Sequence, residues 1–193
     1  MKIGLLGGTF DPIHLGHLRA AETAREGLGL DLVALVAAGV PPHRSGRLAA
    51  ARDRYTMACL AVATHPRFDV WDTELERTGP SYTVDTLARL RVDRPDDDLV
   101  LLVGSDTWPE MPGWREPERL FALAEVAVLD RPGEPTPSVV APFPGARGVS
   151  RVEGPTLPIS ATMVRDRLRR GESVRYLVPE PVADYIAKRE LYT

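Results

Sequence analysis

Short apolar runs alternate with segments of helical periodicity along this chain. The runs at residues 2–6, 32–38 and 99–104 are nearly continuous in apolar residues, which is typical of strands buried on both faces of a parallel sheet. Between the first two runs, apolar residues recur at helical spacing from residue 18 to residue 28, and Gly29 ends the pattern. Further helices are predicted over about 52–64, 83–90, 116–123, 161–169 and 181–188, and further strands over 68–71 and 125–129.

The alternation of strands and helices predicts an α/β fold, a doubly wound parallel sheet with small helices near the C-terminal end. Residues 130–148 are rich in proline and glycine, which indicates an exposed connection. Too little chain follows it for a second core, so residues 1–193 are expected to form a single domain. The composition, 44% hydrophobic and 26% charged, is that of an ordinary globular protein.

The net charge, the apolar runs and the cysteine content exclude several classes of partner and location. A formal charge of −3 and a pI near 5.8 argue against a nucleic-acid-binding surface. No apolar run approaches membrane-spanning length, and the N-terminal segment is too short for a signal sequence, so neither a membrane nor export is expected. The single cysteine, Cys59, is predicted to be a buried, unreactive thiol on a helix, and a reducing cytoplasm is the expected location.

The first strand leads into the most informative segment, GGTFDPIHLGH at residues 7–17. We expect Gly7 and Gly8 to form a tight turn at the carboxyl end of the strand, where α/β sheets bind ligands. A helix N-terminus after this turn would direct N–H groups at an anion, and His14 and His17 could contact the same phosphate. A lone histidine is more often a capping or core residue, but the glycine-rich setting favours phosphate binding. Zinc would require three or four ligands, which this pair does not supply.

Two later segments point to the same kind of ligand. Gly104 and Asp106 follow the clearest strand, where a carboxylate could accept hydrogen bonds from ribose hydroxyls. Ser160 is a good N-cap, and Arg165 would lie on the second turn of the helix that it caps. Without a motif to support a site role, a solvated arginine in a basic run is the favoured interpretation of Arg165.

The segment GGTFDPIHLGH closely resembles the signature of the nucleotidyltransferase superfamily that carries a T/H-x-G-H element. Further motifs occur in the order seen in bacterial nicotinate mononucleotide adenylyltransferases, and the resemblance covers effectively the whole chain. These motifs are Pro41-Pro42-His43-Arg44, Arg54 with Met57, Pro80-Ser81-Tyr82-Thr83, Gly104-Ser105-Asp106, Trp114, Arg131-Pro132-Gly133, and Ile159-Ser160-Ala161-Thr162 with Arg165.

The resemblance implies a Rossmann-like nucleotidyltransferase fold and a role for each matching residue. His14, His17 and Arg165 would be catalytic. Thr83 and Trp114 would hold a pyridine substrate, and the loop residue Arg44, where lysine is common, would bind its phosphate. Ala161 replaces a common serine. ATP would be bound by Gly7, Gly8, Thr9, Phe10, Gly104, Asp106, Ser160 and Thr162.

The resemblance further implies transfer of AMP from ATP to nicotinate mononucleotide, giving nicotinate adenine dinucleotide and pyrophosphate in NAD biosynthesis. Mg²⁺ would arrive with ATP, and no protein metal site is expected. Two alternatives stay open: a related adenylyltransferase acting on nicotinamide mononucleotide or phosphopantetheine, and a non-catalytic nucleotide sensor. The sequence also leaves a homo-oligomer open.

Overall fold

A parallel sheet forms the centre of the computed structural model, which describes residues 1–41, 48–130, 140 and 142–193. Within these residues the strand order is β3-β2-β1-β4-β5-β6, so the order reverses between β1 and β4. Every neighbouring pair is parallel, which confirms the predicted doubly wound α/β sheet. The strands are β1 (Lys2–Gly8), β2 (Leu32–Ala37), β3 (Phe68–Trp71), β4 (Asp98–Gly104), β5 (Glu125–Leu129) and β6 (Val149–Val152).

Helices cover both faces of this sheet. They are α1 (Leu15–Leu28), α2 (Ala51–Val62), α3 (Thr83–Asp93), a 3₁₀ helix (Trp108–Gly113), α4 (Pro117–Leu123), α5 (Ala161–Arg169) and α6 (Glu180–Lys188). Helices α1, α2, α5 and α6 contribute to the core on one face, and α3, α4 and the 3₁₀ helix contribute to the core on the other. Alternate residues of β4 face the two cores, with Val100 and Leu102 on one side and Leu99 and Leu101 on the other. This two-sided burial explains the continuous apolar run in the sequence.

Two sequence-based expectations about the strands were wrong. Gly7 and Gly8 do not form a turn, because they pair with Val36 and Ala37 of β2 and remain inside β1. Strand β6 was not predicted at all. It has only four residues, of which Ser150 and Arg151 are exposed, and it lies at the edge of the sheet. A short edge strand therefore lacks the apolar pattern that marks the buried strands.

Two further side chains pack within the fold, and of these Cys59 was predicted to be a buried thiol on a helix. Trp108 is in the core and meets the ring of Phe121 nearly edge-on, with ring centroids 6.0 Å apart. Cys59 lies on α2 and is partly buried, and this burial raises the pKa of its thiol. The thiol is therefore mostly protonated near neutral pH, as expected of an unreactive cysteine.

Candidate active site

A cleft of about 590 Å³ opens where the strand order reverses, at the carboxyl ends of β1 and β4. Asp106 follows β4 but is exposed and does not line this cleft, and Arg44 lies outside the described residues. The other site residues predicted from the sequence all line it: Gly7, Gly8, Thr9, Phe10, His14, His17, Thr83, Gly104, Trp114, Ser160, Thr162 and Arg165.

The two glycines at the end of β1 serve different purposes. A Cβ atom on Gly7 would meet no atom within 4 Å, so the backbone at Gly7 is open to a ligand in the cleft. A Cβ atom on Gly8 would lie only 2.8 Å from the ring of Phe10, which is itself 2% exposed. Phe10 has a φ of 49°, in the left-handed region, and this conformation directs its ring toward β1. Gly8 therefore makes room for the Phe10 ring and Gly7 leaves open space for a close approach of a ligand, while both residues line the cleft.

His14 and His17 cap helix α1 reciprocally. The Nδ1 atom of His14 accepts a hydrogen bond from the backbone N–H of His17 at 3.3 Å, and the Nδ1 atom of His17 accepts one from the N–H of His14 at 3.2 Å. The rings stack with centroids 3.6 Å apart. Because each Nδ1 is an acceptor, the proton of each neutral ring lies on Nε2, which makes Nε2–H the donor of a ring that lines the cleft. The capping and ligand-binding interpretations are thus compatible.

Gly16 completes this arrangement. A Cβ atom at this position would lie 2.9 Å from Nδ1 of His14 and 3.2 Å from the carbonyl oxygen of Ile159. A larger residue would push the His14 ring away from its cap. The spacing His14-Leu15-Gly16-His17 is therefore explained by the packing of the first ring over the helix N-terminus.

Arg165 is fixed beside the β1–α1 turn by two hydrogen bonds. Its Nη1 donates to the carbonyl oxygen of Asp11 at 2.7 Å, and its Nη2 donates to Oγ1 of Thr162 at 3.1 Å. Ser160 caps α5 as predicted, its Oγ accepting from the N–H of Met163 at 3.1 Å. The guanidinium therefore reaches the cleft in a defined orientation, and the hydroxyl of Thr162 helps to orient it.

Arg54 has a structural role that the sequence does not indicate. This side chain is 1% exposed, and its guanidinium donates to the carbonyl oxygens of Thr9, Gly39 and Ala49 at 2.7, 3.0 and 3.1 Å. Burial lowers the pKa of Arg54. Arg54 joins the loops that follow β1 and β2 to the start of α2, so it stabilises the mouth of the cleft without lining it. The motif of Arg54 with Met57 had pointed to this residue. Its role was not predictable from the motif, because the three acceptors belong to separate segments of the chain.

The N-terminus of α3 lines the cleft from the other face of the sheet. Thr83 is the first residue of this helix and lines the cleft. Ser81 fastens the preceding turn to the loop after β2, because its Oγ accepts from the N–H groups of Gly39 at 3.0 Å and Val40 at 3.3 Å. The first N–H groups of a helix have no acceptor within the helix, so this wall offers donors to an anion.

An aromatic and cationic pair lies beside Thr83. The guanidinium carbon of Arg115 is 4.7 Å from the centroid of the Tyr82 ring, and Trp114 precedes Arg115 in the chain. All three side chains line the cleft, and Trp114 also packs against the core under α3 and α4. Flat rings and a nearby positive charge suit a planar, anionic ligand.

Within the described residues, no group of three histidine, cysteine, aspartate or glutamate side chains could hold a metal ion. Acidic residues at the cleft are Asp11, Glu74 and Glu110. In the same parts of the chain, no helix has both the length and the apolar character needed to cross a membrane.

This chain is similar to known proteins over its whole length. Residues 5–167 match the family model described as cytidylyltransferase-like. The chain is 48% identical, over the full length of both proteins, to a probable nicotinate-nucleotide adenylyltransferase of Thermus thermophilus. It is 43% identical to one of Herpetosiphon aurantiacus, with 99% of this chain and 98% of that protein covered.

Solved structures show the same fold. The Plasmodium falciparum nicotinic acid mononucleotide adenylyltransferase complexed with NaAD superposes with a TM-score of 0.81 at 19% identity, covering 99% of this chain and 97% of that one. The same enzyme complexed with APC gives a TM-score of 0.79 at 18% identity, with 99% and 96% covered. At this identity the likeness concerns the fold alone.

Proposed function

Because this chain belongs to the nicotinate-nucleotide adenylyltransferase family, we propose that its cleft binds ATP and nicotinate mononucleotide together. The reaction is transfer of AMP from ATP to nicotinate mononucleotide, which gives nicotinate adenine dinucleotide and pyrophosphate in NAD biosynthesis. One observation supports assigning one end of the cleft to the ATP phosphates, the phosphate end, and the other to nicotinate mononucleotide, the acceptor end. His14, His17 and Arg165 belong to α1 and α5 on one face of the sheet, Thr83 and Trp114 lie on the other face, and all of them line the cleft.

The phosphate end suits ATP. The two Nε2–H groups and the Arg165 guanidinium are hydrogen-bond donors, which phosphate oxygens can accept. Gly7 leaves the backbone of the same cleft open to the ligand. In our proposal His14 and His17 contact the ATP phosphates, and Arg165 with Ser160 and Thr162 contacts the departing β- and γ-phosphates. Charge-assisted hydrogen bonds of this kind are stronger than neutral ones.

The chemistry needs no covalent enzyme intermediate. A phosphate oxygen of nicotinate mononucleotide attacks the α-phosphorus of ATP, a new O–P bond forms, and the bond from the α-phosphorus to the bridging oxygen breaks, releasing pyrophosphate. The attacking phosphate is already ionised, so no general base is required. Catalysis then consists of aligning the two phosphates and stabilising the negative charge that shifts to the leaving group.

The acceptor end suits a pyridine carboxylate. In our proposal Trp114 stacks on the ring, while Thr83 and the N-terminus of α3 bind the carboxylate. Gly104 lines the cleft at the end of β4, leaving room for a ribose, and Asp106 follows it at the exposed edge. Arg44, which lies outside the described residues, is proposed to bind the phosphate of the acceptor.

Mg²⁺ is proposed to enter with ATP. In our proposal this metal is held mainly by phosphate oxygens and water. Asp11 lines the cleft, and its buried Oδ2 accepts no hydrogen bond from the described residues, so this oxygen could accept one from a metal-bound water. When bound, Mg²⁺ would neutralise charge on the leaving phosphates. We also propose that the protein works in the cytoplasm, in keeping with a single, partly buried cysteine.

The experiment that tests this function measures pyrophosphate release and identifies the product. Purified protein is given ATP, Mg²⁺ and one of three acceptors: nicotinate mononucleotide, phosphopantetheine or nicotinamide mononucleotide. We expect pyrophosphate and nicotinate adenine dinucleotide in equal amounts with the first acceptor, and only background release with the second. Preference for phosphopantetheine would make the chain a different adenylyltransferase. If the protein bound ATP but released no pyrophosphate in the presence of any of the three acceptors, including nicotinamide mononucleotide, it would be a nucleotide sensor.

A further inference from the structure

Tyr192 contacts the β1–α1 turn from 181 residues further along the chain. Its phenol donates a hydrogen bond to Oδ1 of Asp11 at 2.8 Å, and the N–H of Ala49 donates to the same oxygen at 3.1 Å. Asp11 is 3% exposed, so its carboxylate depends on these donors in place of water. Burial and the nearby carboxylate raise the pKa of Tyr192, and the phenol therefore keeps its proton near neutral pH.

Asp11 is the link between Tyr192 and the reactive end of the cleft. Its backbone carbonyl accepts the 2.7 Å hydrogen bond from Nη1 of Arg165, and its Oδ2 lies 3.8 Å from the same nitrogen. Asp11 also precedes His14 by three residues, across the turn that leads into α1. A shift of Asp11 would therefore displace the acceptor of Arg165 and the cap of α1 together.

Tyr192 is itself firmly held. Helix α6 buries Val182 and Ile186 in the same core as α2, and the N–H of Leu191 donates to the carbonyl of Ile186 at 3.1 Å. Tyr192 has a φ of 68°, a left-handed conformation that is uncommon for an aromatic residue. A backbone held in this region is fixed by its surroundings, and here it directs the phenol at Asp11.

From these contacts we infer that Tyr192 is a positioning residue for adenylyl transfer, which acts by holding Asp11 and, through it, Arg165 and the start of α1. The inference rests on the proposed function only for its kinetic consequence. Tyr192 does not line the cleft, so it is not expected to touch a substrate. Its contribution is to the geometry of groups that do, where a displacement of about 1 Å can cost about 100-fold in rate.

The test compares Tyr192→Phe with a matched control, Tyr185→Phe. Tyr185 makes the same kind of bond, donating from its phenol to Oδ1 of Asp53 at 2.7 Å, but neither of these residues lines the cleft. Both variants lose one tyrosine–aspartate hydrogen bond, so both should lower Tm by roughly 2–4 °C. We expect kcat to fall about tenfold in Tyr192→Phe, with the KM for ATP within about twofold, and to stay within about twofold of the original in Tyr185→Phe.

A second measurement does not depend on activity. The chain has four histidines, so ¹⁵N-labelled imidazole signals can be assigned by substitution. Tyr192→Phe should shift the His14 and His17 signals and leave that of His65 in place, while Tyr185→Phe should leave the pair unchanged. If the original protein released no pyrophosphate, the proposed function would fail, and these spectra would still decide the positioning role. Equal kcat values in the two variants, or unshifted His14 and His17 signals in Tyr192→Phe, would overturn the inference.

Discussion

At the phosphate end of the cleft the polar side chains are fastened to backbone groups, whereas at the acceptor end Arg115 rests on the ring of Tyr82. His14 and His17 accept from each other's N–H groups, and Arg165 donates to a carbonyl, so three side chains are oriented before any ligand binds. Preorganised donors are most effective where charge develops during the reaction. We therefore expect the phosphate end, whose side chains are held in place, to govern the chemical step. We expect the acceptor end to govern which acceptor binds.

The arginines at the two ends of the cleft also differ in their exposure to solvent. The side chain of Arg165 is 19% exposed and that of Arg115 is 52% exposed. Water and salt screen an exposed charge, while a partly buried one keeps more of its effect. Two arginines that line one cleft are consequently expected to differ in both the size and the salt dependence of their contributions.

The largest effect is expected from His17→Ala. The substitution removes the Nε2–H donor at the phosphate end, and loss of one such donor lowers kcat by roughly 100- to 1000-fold, with a much smaller change in ATP affinity. Steady-state kinetics and binding of a non-hydrolysable ATP analogue measure the two quantities separately. Near-normal kcat, or a defect confined to ATP binding, would show that His17 is a structural residue.

Two conservative variants of the same position separate capping from catalysis. The Asn side chain can place an acceptor near the position of Nδ1, so His17→Asn should restore the cap on α1. The Gln side chain can place an N–H near the position of Nε2, so His17→Gln should recover more of the lost turnover than His17→Asn. The order follows from the observed role of Nδ1 as an acceptor from His14. If Asn recovered kcat better than Gln, the cap and not the Nε2 donor would be the important contribution.

A smaller but still large effect is expected when the acceptor is changed from nicotinate to nicotinamide mononucleotide. The N-terminus of α3 and Arg115 present N–H donors and positive charge, which a carboxylate satisfies and an amide NH₂ does not. The loss is on the order of 2–4 kcal/mol, or about 30- to 700-fold in kcat/KM. Measuring kcat/KM for both acceptors with the same enzyme sample tests this. Equal values would mean that the acceptor end does not distinguish the two.

The sequence predicted the frame of this cleft well because buried parallel strands leave continuous apolar runs. Strands β3 and β5 and helix α5 occupy the predicted residues. Strand β6 escaped prediction since an edge strand of four residues needs no such run. The turn predicted at Gly7 and Gly8 was wrong because local propensity says nothing about the pairing with β2 that keeps them in a strand.

Contacts between distant residues were the part that sequence patterns could not supply. The resemblance marked Arg54, but its three carbonyl partners come together only in the folded chain. The hydrogen bond from Tyr192 to Asp11 likewise spans 181 positions and follows no periodicity. The roles assigned to His14, His17 and Arg165 stay predictions, although all three line one cleft as the motif implied.

The smallest effect is expected from Arg115→Ala. Arg115 is exposed, lies over the Tyr82 ring and is 3.6 Å from Glu116, so its pull on a bound carboxylate is weak and screened. We expect the KM for nicotinate mononucleotide to rise about threefold at low salt, with turnover unchanged, and the difference to disappear at about 0.5 M salt. Arg119→Ala is the matched control, because Arg119 is equally exposed and pairs with the same glutamate at 2.9 Å but does not line the cleft.

If Arg115→Ala instead slowed turnover by about 30-fold or more, the acceptor end would be as preorganised as the phosphate end. A rise in KM that persisted in high salt would indicate a direct, desolvated contact with the substrate.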